Sequence, residues 1–162
     1  MLLMTATPVA LFVQCLVDAL YPEVGEAMVR VFDRLGVPLV YPEAQTCCGQ
    51  PAYNSGRLHE ATAAAQRFIE LFEDAEAIVC PSGSCVAMVR RHYPELFAHQ
   101  PIMRERALQV ARKTFEFSEY LVNMLGVVDL GAAFSGIATY HDSCHLARTL
   151  GIREQPRQLL RH

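Results

Sequence analysis

Short apolar runs rich in β-branched and aromatic residues alternate with helical periodicity along this chain, and that alternation narrows the fold more than any other feature. Residues 8–15 (PVALFVQC) read as a buried strand. Pro22 and Glu23 then suit a helix start, Val24, Met28, Val31, Phe32 and Leu35 recur at helical spacing, and Gly36 supplies the stop. Residues 37–41 are a second strand, closed by Pro42. In residues 57–74 the set Leu58, Ala61, Ala65, Phe68, Ile69 and Phe72 marks an amphipathic helix, and residues 77–80 (AIVC) a third strand. Residues 85–91 read as helix, and 101–125 as one long or two shorter helices ended by Gly126. Residues 136–140 are a fourth candidate strand, and 155–162 return to helix. The expected fold class is therefore α/β, a mostly parallel sheet flanked by helices.

Apolar residues make up 52% of the sequence and charged residues 19%, a balance that supports a packed core and sets disorder aside. The formal net charge of −3 gives no basic field for nucleic acid, so none is expected as a partner. No run approaches the roughly 18 apolar residues of a membrane span. Residues 1–17 are apolar enough to suggest a signal peptide, but they lack a positive start and Pro8 interrupts them. The cytoplasm is the expected location. In that reducing compartment, six cysteines point to metal or redox ligands more than to disulfides.

The predicted strands place those thiols. Groups that do chemistry in parallel α/β sheets gather beyond the carboxyl ends of the strands. Cys15, Cys80 and Cys144 each close a predicted strand, and Cys47-Cys48 follows another, so five of the six thiols are expected at one sheet edge. Thirty-one residues separate Cys15 from Cys47, thirty-one separate Cys48 from Cys80, and four separate Cys80 from Cys85. Adjacent cysteines rarely bond to each other, because the ring is strained. Two adjacent thiolates suit a polynuclear cluster, and Gly49 lets the backbone turn and bring N–H groups toward sulfur. Small residues in Cys80-Pro81-Ser82-Gly83-Ser84-Cys85 allow that loop to wrap an inorganic core, with Thr46, Ser82 and Ser84 as candidate donors to sulfur. Four thiolates also suit tetrahedral zinc, and buried inert thiols are the bland alternative.

The arrangement Cys15…Cys47-Cys48-Gly49…Cys80…Cys85 resembles the CCG-type cysteine-rich domain shared by the cysteine-rich component of heterodisulfide reductase, glycolate oxidase iron–sulfur proteins and the lactate utilisation proteins. Residues 46–56 (TCCGQPAYNSG), 78–85 (IVCPSGSC) and 140–152 (YHDSCHLARTLGI) look most like the lactate utilisation branch. The resemblance implies that Cys15, Cys47, Cys48, Cys80 and Cys85 hold a 4Fe–4S cluster of non-cubane form, with zinc as the alternative. The heterodisulfide reductase pattern has two residues between its last cysteines where this chain has four. Family members carry the motif twice, which makes Cys144 the expected first cysteine of a second copy. Residues 1–126 are then expected to form one complete CCG repeat, and 127–162 the start of a second, truncated one.

The other candidates are weaker. His141 and His145 flank Cys144 and could ligate metal with it, and Asp142 suits a cap for a helix over 143–150. His59, His92 and His99 are expected on solvated faces, as are Arg104, Glu105, Arg106, Arg112 and Lys113. Met88, Met103 and Met124 are expected to fill the core. No G-x-G-x-x-G or Walker pattern supports a bound nucleotide. The expected function is an iron–sulfur electron-transfer subunit of an L-lactate- or glycolate-oxidising complex, a non-catalytic or partial subunit working alongside other iron–sulfur subunits. The alternative is a non-catalytic zinc- or thiol-bearing module of a larger assembly. A half-built repeat leaves an unpaired sheet edge, so a homo-oligomer is expected with that alternative.

Overall fold

The computed structural model describes residues 8–162. The expectation about a leader over residues 1–17 lies partly outside them. Four strands, β1 (Val9–Leu11), β2 (Leu39–Val40), β3 (Ala77–Cys80) and β4 (Thr114–Glu116), form a sheet of order β2-β1-β3-β4 in which every pair is parallel. The register sets Ala10 beside Val40 and Ile78, and Cys80 beside Glu116. The chain is α/β, as expected.

Helices cover both faces because the strand side chains alternate. Val9, Leu11 and Val13 point to the face closed by Val17 of α1 (Cys15–Leu20) and by Met28 and Phe32 of α2 (Pro22–Arg34). Ala10 and Phe12 point to the other face, against α3 (Gln50–Asn54) and the buried Ala65, Phe68, Ile69 and Phe72 of α4 (Leu58–Phe72). The Phe12 ring meets Phe68 and Phe72 edge-on, with centroids 4.9 and 5.7 Å away. Each such buried ring contributes about 1.5–3 kcal/mol from area alone.

After β3, α5 (Gly83–Ala87) runs through a widened π turn (Met88–His92) into α6 (Tyr93–Leu96), and α7 (Pro101–Arg112) leads to β4. Glu116 then caps α8 (Phe117–Glu119), which widens into a second π turn (Tyr120–Met124). A third π turn (His145–Thr149) and α9 (Glu154–Arg161) complete the described chain.

Several sequence expectations fail here. Residues 136–140 are not a strand: Ile137 is fully exposed, and alternation makes a strand only where a neighbour supplies the ladder. The fourth strand instead lies at Thr114–Glu116, inside the stretch read as wholly helical. Cys15 does not close a strand but starts α1, and Cys144 follows no strand at all. Asp142 caps no helix, because its Oδ2 is taken by Arg157 at 2.7 Å. Met124 is exposed rather than core, Met88 is buried and Met103 is half-buried. His92 is half-buried, stacked on Tyr53 and bonded to Glu95. Arg106 is engaged with Glu73 rather than freely solvated.

Candidate functional site

The strand order reverses direction between β1 and β3. The chain moves to one side of β1 to place β2, then crosses to the other side for β3 and β4. Such a switch point leaves a crevice beyond the carboxyl ends of the two central strands, where ligands of open α/β sheets bind. Cys15 follows β1 by four residues, and Cys80 is the last residue of β3.

Cys47 and Cys48 reach the same place through Gln45. Its Oε1 accepts from Val13 N at 2.8 Å, and its Nε2 donates to Leu11 O at 3.2 Å and Pro42 O at 3.1 Å. The amide thus extends the β1 ladder past the end of β2 and holds the loop that carries the cysteine pair. Gly49 then takes a left-handed turn (φ 82°). A Cβ there would lie 3.0 Å from Ala64 Cβ and 3.2 Å from Ala61 O, so the residue that turns the loop must also be the smallest one. Tyr93, fully buried on α6, donates its hydroxyl to Cys48 O at 2.9 Å. Gln50 Nε2 donates to Ser84 O at 3.1 Å and ties this loop to the one bearing Cys85. Ser82 caps α5 through the Cys85 N–H, which sets Cys85 in the first turn of that helix.

The result is a neighbourhood of five thiols that perturb one another. Cys15 Sγ lies 3.4 Å from Cys47 Sγ, too far for a disulfide at about 2.05 Å, and all six cysteines are free thiols. Beyond that pair the thiols are linked through their titration, Cys47 with Cys48, Cys48 with Cys85, and Cys85 with Cys80. Cys144 is exposed and does not enter this run. Its segment still reaches the site, because Leu146 packs so tightly on Gly83 that a Cβ at Gly83 would fall 2.8 Å from Leu146 Cβ. Near Cys144, His145 Nδ1 and Asp142 Oδ1 are buried without a hydrogen-bond partner.

Protons are shared unevenly along the run. The Cys48 thiol, then the Gly49 N–H, donate to Cys47 and lower its pKa to about 5 against the pull of burial. Cys85 is lowered to about 3, chiefly by donation from Cys48 and Cys80, with Ser82 and Ser84 adding to it. Cys15 is raised to about 11 by loss of water around its sulfur and by its bond to Cys47. Cys48 is raised by donating to Cys47 and Cys85, and Cys80 by complete burial. Within the run, Cys47 and Cys85 are thus the thiols that ionise most readily, and the backbone of Gly49, Gln50 and Ser82 favours the ionised forms of Cys47, Cys48 and Cys80 in turn.

Among the described residues, no group of three or more His, Cys, Asp or Glu side chains is arranged to hold a single metal ion. What the fold offers is five neighbouring thiols, soft donors of the kind that bind a metal ion or a metal–sulfide cluster. Gln14, Gln45 and Tyr93 were not singled out from the sequence. The signal open to inspection was the buried, strand-adjacent place of Gln14; the other two act over 32 and 45 residues.

The profile of the CCG cysteine-rich domain family matches residues 9–90, the span that holds all five thiols. The chain belongs to the CCG cysteine-rich domain family. Lactate utilization protein A of Bacillus cereus (strain G9842) is 53% identical to this CCG chain over 152 residues, covering 94% of the chain and 63% of the relative. The proteins of that name from Bacillus subtilis (strain 168) and Geobacillus thermodenitrificans (strain NG80-2) are each 50% identical over 154 residues, covering 95% of the chain. The chain spans 64% of the length of those two. No solved structure matches it. No helix among the described residues is long and apolar enough to cross a membrane.

Proposed function

We propose that Cys15, Cys47, Cys48, Cys80 and Cys85 hold an iron–sulfur cluster of the 4Fe–4S class in non-cubane form, and that this CCG domain passes electrons in the oxidation of L-lactate or a similar 2-hydroxy acid. The observation that carries the reading is the gathering of five mutually perturbing thiols at the switch point of the sheet, with the Cys15 and Cys47 sulfurs 3.4 Å apart. Five soft donors exceed the four that a tetrahedral zinc accepts. The relatives' name supplies the metabolic setting.

A bound cluster supplies storage for one electron at a time. Oxidising a 2-hydroxy acid to the 2-oxo acid releases two, so this reading includes a second redox centre on a partner iron–sulfur protein. The chain's own residues then have separable tasks. Cys47 and Cys85, whose pKa values are lowered by the neighbouring thiols, would be the first to bind as thiolates. The N–H groups of Gly49 and Gln50 stabilise added negative charge on sulfur, which raises the reduction potential. Phe68 and Tyr93 wall the Cys48 side off from water. Residues 127–162 belong, in this reading, to the start of a second CCG unit docked on the first through Leu146 and Gly83, and Cys144 goes with that unit. A cytoplasmic setting keeps the five thiols reduced for assembly.

Anaerobic purification followed by iron and acid-labile sulfide analysis tests the proposal. A coloured protein with both iron and sulfide, emptied by Cys80→Ser, is expected. A colourless protein with stoichiometric zinc overturns it.

A further inference from the structure

The five thiols are held very unequally. Cys48, Cys80 and Cys85 are 1%, 0% and 5% exposed, and their loops are locked by Tyr93, Ser82 and Gln50. At the other end of the run Cys15 is exposed and Cys47 half-buried. A cavity of about 150 Å³ opens beside those two, lined also by Gln14, Asp18, Glu43 and Thr46. Cys15 also hangs from an unfavourable backbone. Gln14 has φ 58° and ψ 159°, a region that suits glycine, and among the described residues it alone is a non-glycine with positive φ. Its buried side chain holds that geometry by accepting from Leu16 N at 2.8 Å.

From this asymmetry we propose that Cys15 is the exchangeable thiol of the site, and that the cavity admits a small neutral donor which takes its place. The inference rests on the cluster reading above and adds which ligand gives way and what replaces it. Three buried thiols and Cys47 keep the cluster in the fold, while the strained Gln14–Cys15 step relaxes when Cys15 lets go. Asp18 and Glu43 line the entry with carboxylates, so an uncharged molecule enters more readily than an anion. An incoming thiol would deliver its proton to Cys15 Sγ and would take the position that Cys15 holds toward the cluster, with no electron transferred.

Iron and sulfide content, with the visible and paramagnetic spectra of anaerobically purified protein, supplies the test. Cys15→Ser is expected to retain most of the wild-type iron with a shifted spectrum, whereas Cys48→Ser, Cys80→Ser and Cys85→Ser lose nearly all of it. In loaded wild-type protein, 2-mercaptoethanol is expected to free Cys15 for alkylation by iodoacetamide without loss of iron, and to do so at lower concentration than thioglycolate, whose carboxylate the cavity repels. A wild-type chain without iron and sulfide overturns the cluster reading and this proposal with it. A loaded wild type combined with a Cys15→Ser variant as empty as Cys80→Ser overturns the proposal alone. So does a loaded wild type that responds to neither thiol, or to both equally.

Discussion

Tyr93 and Cys48 are joined by a buried hydrogen bond, the phenol of one donating to the main-chain carbonyl of the other at 2.9 Å across 45 residues of sequence. It fixes the Cys48–Gly49 peptide, just after the adjacent thiols, from a helix that begins eight positions after Cys85. Tyr93→Phe keeps the ring against Phe68 but leaves the carbonyl buried and unpaired. The expected loss is about 1–3 kcal/mol in urea unfolding. No change in midpoint would show that the bond carries no stability.

Gly49→Ala should be costly for a different reason. The added methyl meets Ala64 and the Ala61 carbonyl, and the left-handed φ of 82° disfavours any side chain. About 1–3 kcal/mol of destabilisation is expected, together with reduced iron loading, because the strain falls on the turn that aims Cys47 and Cys48. Thermal unfolding and iron analysis check both.

Gln14 allows the strain itself to be measured. Gln14→Ala and Gln14→Gly both remove the side-chain bond to Leu16 N, but only glycine is comfortable at φ 58°, ψ 159°. The glycine variant should be the more stable of the two by about 1–3 kcal/mol, at or above the margin of about 1 kcal/mol by which glycine exceeds alanine at an ordinary helix N-cap. Equal stability would mean that the backbone relaxes without penalty.

Thiol reactivity in the metal-free chain follows from the uneven proton sharing. The pKa of Cys47 is lowered to about 5, so its thiolate is present above that pH and lost as the pH falls through it. Cys15 is raised to about 11 and stays protonated at neutrality. Iodoacetamide near neutral pH should therefore modify Cys47 before the more exposed Cys15, as peptide mass analysis would reveal, and the preference should fade in acid. Modification of Cys15 first would contradict the sulfur contacts.

Much of this was legible in the sequence, for physical reasons that also mark where it was not. The strands at Val9–Leu11 and Ala77–Cys80 are buried on both faces, so they stand out as continuous apolar runs. Thr114–Glu116 is only three residues long, set between the end of α7 and the Glu116–Glu119 capping box, and helical periodicity on both sides hides it. Residues 136–140 show the opposite error, a strand-like pattern without a neighbouring strand among the described residues. Cysteine is rare enough to be noticed wherever it falls. The amide of Gln45 and the phenol of Tyr93 work through bonds to distant backbone, and no local pattern announces those.

Iron-edge X-ray absorption on the anaerobically purified chain addresses the central claim most directly, since it reports what surrounds the metal. Coordination by sulfur alone with an iron–iron distance in the spectrum is the predicted result, and both features should vanish in Cys80→Ser. Iron bound by oxygen and nitrogen, or iron without an iron neighbour, would contradict a cluster shared by the five thiols.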